Sequence, residues 1–443
     1  MDGQTPWLTG LQAYAYDVID EGAEAVVEAA SSCAADVILL AVSYLDHFPP
    51  TERGTAPLHN PHRTRHGMEA YIRPSAHRYP AELVPPLSED PGADGEAAYF
   101  ALRAVAEPRG IAVVPWVLML THPVAVKAPA YGVINARGDL VPGWLCPSRP
   151  DTAAFAQGLL ADIIDKFDPP AVFLDGIRSP GPGVHGLVDL FSCFCHACHE
   201  SAEAQGLDLA GARTSLLGLA DLVEHDPAEA ARLGSETLAA GLTTMRTVAR
   251  HPAVLDWIEF RHRAIDRLVK SVRESIAGRA ELWLDVWPPS YGWLLGQDLA
   301  RLGHHGSWTK PFTYHRWGGG ADIPAIIGRL SSDPIVLQQL YGVYRAFFGF
   351  AGPSDFDEYA QRGLDPEWVT TETALAATLL DGHSKLAAGL QLWQMGREGV
   401  REALEHALMA RPDGVFLHCY GWSTPEELQA AGDWLRERGL AHR

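Results

Sequence analysis

Asp36-Val37-Ile38-Leu39-Leu40-Ala41-Val42-Ser43-Tyr44 is apolar almost without interruption. A strand with one wet face alternates apolar and polar positions, whereas a strand covered on both faces does not. This stretch therefore reads as a parallel strand buried between helices. An Ala-rich helical segment, from about Gly22 to Ser32, precedes it, and before that lies a first β-rich run, Leu11-Gln12-Ala13-Tyr14-Ala15-Tyr16.

The same unit recurs downstream. A helix near Glu96–Glu107 leads to a strand at Ile111–Leu118. After Pro150, the residues Phe155, Leu159, Leu160, Ile163, Ile164 and Phe167 share one helical face, and Ala171-Val172-Phe173-Leu174-Asp175 follows as a fourth strand. A helix over about Leu255–Ile276 places Leu255, Ile258, Ile265, Leu268, Val272 and Ile276 on its apolar side. Further strands are expected at Glu281–Trp287, Ser307–Tyr314, Leu386–Trp393 and Val415–Tyr420, with a closing helix at Pro425–Arg438. Eight strands alternating with helices imply the α/β class and a single closed (β/α)8 TIM barrel over residues 1–443. An open doubly wound sheet is the alternative, but no glycine-rich phosphate turn follows the first strand. Long insertions follow strands two, three and four, at about 45–92, 119–149 and 179–254. In a barrel these loops lie on the face where active sites are built.

Composition narrows the function. The chain has 443 residues, 47% hydrophobic and 20% charged, enough to bury about three quarters of its unfolded surface. Its 35 basic and 55 acidic residues give a net charge of −20, which repels phosphate backbones and anionic lipid, so neither nucleic acid nor a membrane is an expected partner. No apolar run has the 18 or so residues of a membrane span. Met1-Asp2-Gly3-Gln4-Thr5-Pro6 has no signal-peptide character, and six cysteines are too few for a disulfide scaffold. A cytoplasmic protein is expected, and a homo-oligomer is compatible with the sequence.

Cys193-Phe194-Cys195-His196-Ala197-Cys198-His199 gives Cys-x-Cys-x2-Cys, and Cys146 lies upstream in Leu145-Cys146-Pro147-Ser148. Four thiolates close a tetrahedral shell around zinc and leave no open position for water. The expectation is a structural Zn2+ held by Cys146, Cys193, Cys195 and Cys198, with a Cys3His shell using His196 or His199 as the alternative. Cys33 and Cys419 read as buried inert thiols.

This arrangement resembles the β-galactosidases of glycoside hydrolase family 42. That family's (β/α)8 barrels carry a zinc site made by a Cys-x-Cys-x2-Cys loop and one earlier cysteine in a Cys-Pro context. The matching stretch runs from about Cys146 to Cys198. The resemblance implies the zinc ligands but not the catalytic pair. The family ends its fourth strand with Asn-Glu, where this chain has Asp175-Gly176, and it keeps a nucleophilic Glu at strand seven, where Gln391, Trp393 and Gln394 stand. Leu174-Asp175-Gly176-Ile177-Arg178-Ser179-Pro180 also resembles the Asp-x-Ile-Arg-x-Pro signature of glycosidase-like barrels.

Glycosidic cleavage in its common form needs two carboxyl groups flanking one bond. Asp17, Asp46, Asp175 and Asp285 all fall at or after expected strand ends. Asp175 is expected to be the nucleophile or base, with Arg178 stabilising its anion, and Asp285 the general acid. Trp116, Trp287 and Trp393 are expected to pack on sugar rings, and Asp46, His59, Lys310, Tyr314, His315 and Gln391 to meet hydroxyl groups. The leading reading is a glycoside hydrolase. A non-hydrolytic carbohydrate-binding barrel, and a lyase or isomerase acting on a sugar acid with Lys310, His315 or Tyr314 as base, stay open.

Overall fold

The structure, a computed structural model, describes residues 7–45, 69–126, 128–226, 230, 249–316, 327–328, 330–348 and 352–442. Asp46 and His59 lie outside the described residues. Among those described, ten strands follow in chain order: β1 Leu8–Tyr14, β2 Val37–Ser43, β3 Ala112–Leu118, β4 Gly132–Ile134, β5 Leu140–Leu145, β6 Ala171–Asp175, β7 Glu281–Val286, β8 Trp308–Pro311, β9 Lys385–Gln391 and β10 Gly414–His418. Eight of them close a parallel barrel in the order β1-β10-β9-β8-β7-β6-β3-β2. The expected (β/α)8 barrel is thus the observed fold. No helix among the described residues is long and apolar enough to cross a membrane.

Local chemistry explains the elements. All seven residues of β2 are buried, as a strand between two layers requires. The helix Pro150–Phe167 begins with proline at its first turn and ends at Asp168, which turns left-handed at φ 44°. The helix Pro425–Glu437 starts in a capping box between Thr424 and Glu427.

Several boundaries differ from the sequence reading. Ala15 and Tyr16 open a helix, Ala15–Glu21, instead of extending β1, and the Asp17 carboxylate accepts the Tyr14 backbone N–H at 2.9 Å. Asp17 therefore serves the helix start. On the helix Ala253–Ile276 the buried face holds Trp257, Phe260, Arg261 and Ala264, while Leu255 is 52% exposed; the larger rings at 257 and 260 take the inner side. The 119–149 insertion carries the antiparallel β4–β5 hairpin. The β8–β9 connection holds the helices Pro334–Phe348, Phe356–Arg362 and Glu367–Leu380, with a small apolar cluster around Tyr341, Tyr359 and Trp368.

Inward-facing side chains fill the barrel in layers. Phe173, Trp283, Trp308 and Phe416, from four strands, form an aromatic floor with ring centroids 5.6–6.1 Å apart. Gly10 on β1 makes room for it, since a Cβ there would stand 2.7 Å from the Phe416 ring. Side chains alternate along a strand, so two residues further on the same strands again point inward. Those positions are Gln12, Asp175, Asp285, Lys310 and His418.

Gly10→Ala is expected to lose about 1–3 kcal/mol of stability, because the floor cannot yield without leaving its rotamers. Urea unfolding measures it, and an unchanged midpoint would show that the floor is loose.

Candidate active site

The centre of the polar layer is Lys310, fully buried. Its Nζ lies 3.0 Å from Asp285 Oδ1 and donates to Gln12 Oε1 at 3.1 Å and to the Tyr314 hydroxyl oxygen at 2.6 Å. The ammonium thus donates two hydrogen bonds and forms an ion pair with Asp285. Gln12 Nε2 in turn reaches Asp285 Oδ2 at 3.5 Å. Asp285 and Lys310 are register partners on β7 and β8, which sets their side chains beside each other. Gly389 on β9 lets the lysine pass, since a Cβ there would overlap the Lys310 side chain and the Pro311 carbonyl. Burial pushes Asp285 up and Lys310 down, while their mutual attraction opposes both shifts.

Asp175 lies nearer the mouth, 7% exposed. Leu174 pairs with Leu284, so Asp175 stands next in register to Asp285 on the adjacent strand. Its Oδ2 accepts from Trp116 Nε1 at 3.3 Å and from the Tyr44 hydroxyl at 3.5 Å, and its Oδ1 accepts from the Gly176 backbone N–H. Gly176 is left-handed at φ 67°, and a Cβ on it would press on Leu118. Burial raises the Asp175 carboxyl above its ordinary range, and Lys310 and Arg178 pull it partly back. Asp175 therefore holds its proton more firmly than an exposed aspartate.

Aromatic rings surround this carboxyl. Tyr14, Tyr44 and Trp116 contact one another at 5.0–5.7 Å between centroids. His418 lies 5.9 Å from Trp116, stacks on Tyr314 at 5.3 Å, and meets the edges of Trp393 and Trp422. On the other side the Arg178 guanidinium sits between two indoles, 4.6 Å from the Trp144 centroid and 4.4 Å from that of Trp287. Arg178, Trp116, Trp287, Lys310, Tyr314 and Trp393 are thus gathered around the two aspartates.

One expected hydroxyl partner is engaged elsewhere, and a second is strongly buried. Gln391 accepts the Arg316 backbone N–H at 2.9 Å and donates to the Trp393 carbonyl at 3.3 Å, so its amide braces the loop after β8. His315 is pushed down to about 3 by burial, and its charged neighbours are Arg316, His406 and Asp365. That environment keeps the imidazole neutral and its proton affinity low. Sequence reasoning missed Gln12, Tyr14, Tyr44 and His418. For Gln12, Tyr14 and His418 the signal available was strand parity, since they stand two or four places beyond the inward-facing Gly10 and Phe416; a register shift between Ala41 and Ser43 hides it for Tyr44.

The four cysteines come together. All four Sγ atoms lie within 4.8 Å of one another and are buried, with Cys146 Sγ 3.6 Å from Cys195 Sγ and 3.4 Å from Cys198 Sγ. Ligands about 2.3 Å from zinc at tetrahedral angles stand roughly 3.8 Å apart, so this cluster can hold a metal ion and its size is compatible with zinc. His196 is exposed and pairs with Glu200 at 3.2 Å, and His199 packs against Phe194. The cluster is therefore four cysteines and not three with a histidine. Cys33 and Cys419 are buried and apart from it.

Neither protein-family models nor characterised protein sequences match the chain. Its fold is similar to that of solved β-galactosidases. For the enzyme of the psychrophilic Marinomonas ef1 the TM-score is 0.50 at 11% identity, over 98% of this chain and 59% of that one. For that of Rahnella sp. R3 it is 0.52 at 11% identity, over 99% and 57%. A family 42 enzyme from G. stearothermophilus gives 0.51 at 9% identity, over 98% and 57%. This chain spans 57–59% of the length of those proteins. The shared feature is the closed (β/α)8 barrel.

Lys310→Met is expected to cost about 3–5 kcal/mol by stranding a buried carboxylate, with much of the loss recovered in the double variant Lys310→Met/Asp285→Leu. Chemical denaturation of the two variants checks this; equal losses in both would show that the pair is not coupled. Asp175 gives a pH test. Its folded-state proton affinity is raised, so above the ordinary value of 3.8 the unfolded chain releases a proton that the folded protein retains. Asp175→Asn should therefore gain stability relative to the parent as pH rises from about 4 to 7, and unfolding curves across that range should show it; a flat difference would mean the carboxyl is solvated.

Proposed function

We propose that the protein is a glycoside hydrolase whose substrate enters the aromatic mouth of the barrel and meets Asp175 there. The observation that carries this reading is the pair of neighbouring strand-end carboxyls in unlike environments, Asp175 against Trp116 and Tyr44, Asp285 against Lys310. Two carboxyl groups beside one bond are what acid-assisted glycosidic cleavage requires.

The sequence expectation made Asp175 the nucleophile or base and Asp285 the acid. Burial raises both carboxyls, and the roles are exchanged here on access alone, since Asp175 is the more exposed of the two. Asp175, raised by burial and nearest the opening, suits the general acid: its proton goes to the glycosidic oxygen as the bond from that oxygen to the anomeric carbon breaks. Asp285 sits one strand over with an ammonium at 3.0 Å, whose attraction opposes the strong upward push of burial on this carboxyl. Its negative charge faces the positive charge that develops on the sugar ring. Water supplies the new hydroxyl group, and its proton returns through Asp175. Tyr314 accepts from Lys310, so its own O–H is directed away from the lysine and serves as a donor to the substrate.

Trp116 and Trp393 supply apolar surface that suits the C–H faces of sugar rings. The Trp287 ring packs on Arg178 and stacks on Tyr291, so it serves the wall, and Arg178 is held between its two indoles. The four cysteines are proposed to hold a structural zinc. Trp144 lies two residues before Cys146 and contacts Arg178, so the metal loop supports one wall of the mouth.

Asp175→Asn is expected to keep its fold and its affinity for glycan while turnover falls by about 10²–10⁴-fold. Assay of aryl-glycosides of both anomers, beside binding of the same glycans, measures both properties. Undiminished turnover would overturn the assignment, and binding without cleavage by the parent protein would favour a carbohydrate-binding barrel.

A further inference from the structure

Arg261 stands on the inner face of the helix Ala253–Ile276 with 2% of its surface exposed. Its guanidinium lies 4.4 Å from the centroid of Trp257, and its Nη1 donates to the Leu190 carbonyl at 3.1 Å. Nε and Nη2 are buried without a hydrogen-bond partner. The ionisable groups that act on it are Tyr291, Cys193 and Arg178, with no carboxylate among them. Burial pushes it down to about 9, which still leaves it charged at neutral pH. A buried charge without compensation is among the most costly features a fold can carry. This cation therefore calls for a negative group that no carboxylate among the described residues supplies.

The segment that Arg261 holds leads straight into the cysteine loop. Trp257 Nε1 donates to the Ser192 carbonyl at 3.0 Å, and Phe191 meets the Trp257 ring edge-on at 6.1 Å. The helix thus grips Leu190, Phe191 and Ser192, the three residues before Cys193. Cys193 Sγ also accepts the Ile134 backbone N–H at 3.3 Å. A divalent ion in four thiolates leaves a net charge of about −2 on the centre. Such a centre, buried in an apolar surround, needs positive charge nearby as much as Arg261 needs negative charge.

We propose that Arg261 is the buried counter-charge of the four-cysteine centre, a positioning residue through which the barrel helix retains the metal. The inference rests on the reading of the four cysteines as a metal shell. It differs from simple bracing of the loop, in which the hydrogen bond to Leu190 would be all that matters.

Two substitutions separate charge from bracing. Arg261→Lys keeps the charge and loses the planar fork, while Arg261→Gln keeps an amide donor and loses the charge. The full-length proteins are purified without chelator, their metal content is measured by mass spectrometry, and release into excess EDTA is followed with a colorimetric metal dye. The parent is expected to carry one divalent ion per chain. Arg261→Gln should release it at least about tenfold faster, as loss of a partner around the ligands does, with Arg261→Lys within about threefold of the parent. Equal retention by Arg261→Gln overturns the proposal, and so does equally fast release by Arg261→Lys, which would mark a bracing role. A parent without metal removes the shell itself, and the inference with it. Should Arg261→Gln not fold, Trp257→Phe decides: it removes the bond to Ser192 and leaves the cation, so parent-like retention supports the counter-charge and rapid loss overturns it.

Discussion

An ammonium group in the middle of a closed sheet, out of reach of water, is the constraint around which this barrel is organised. Lys310 is tolerable there only because Asp285, Gln12 and Tyr314 each bring an oxygen to it. These partners come from β7, from β1 and from the segment after β8, so the ion records the register of strands far apart in sequence. Gly389 adds a fourth condition, since the lysine stem occupies the place of a side chain on β9. A one-residue slip in any of these strands would turn a partner to the outer face and leave the charge uncompensated. Below it, the aromatic floor excludes water from the lower barrel and sharpens the electrostatics above.

The architecture was legible because covering both faces of a strand leaves an unmistakable trace, as β2 and β6 show. Boundaries were less legible where apolar residues continue past the last ladder bond. Ala15 and Tyr16 look like strand but are captured by a helix whose start Asp17 caps, and Thr313 and Tyr314 leave the sheet directly after β8. The three-residue β4 has too little sequence to show a period.

The site was legible in its parts and not in its grouping. Asp175, Asp285 and Lys310 stand at strand ends and could be named as candidates. That Asp285 belongs to Lys310 depends on lateral register, which no local pattern encodes. Gln12 reads as a polar residue on an outer face until Gly10 and Tyr14 establish which parity points inward. That backbone groups claim the Gln391 amide likewise depends on loop geometry that no local pattern encodes. The cysteines were the clearest signal, since ligand geometry restricts spacing more tightly than packing does.

Arg178 joins three segments that are otherwise separate: the β4–β5 hairpin through Trp144, the turn after β6 that carries the arginine, and the end of β7 through Trp287. It acts as the keystone of an arch. Neither indole can swing outward without unseating the stone, so the gateway widens by concerted travel of three spans and not by the flapping of one. The rate at which a guest is admitted is therefore a property of the vault as a whole.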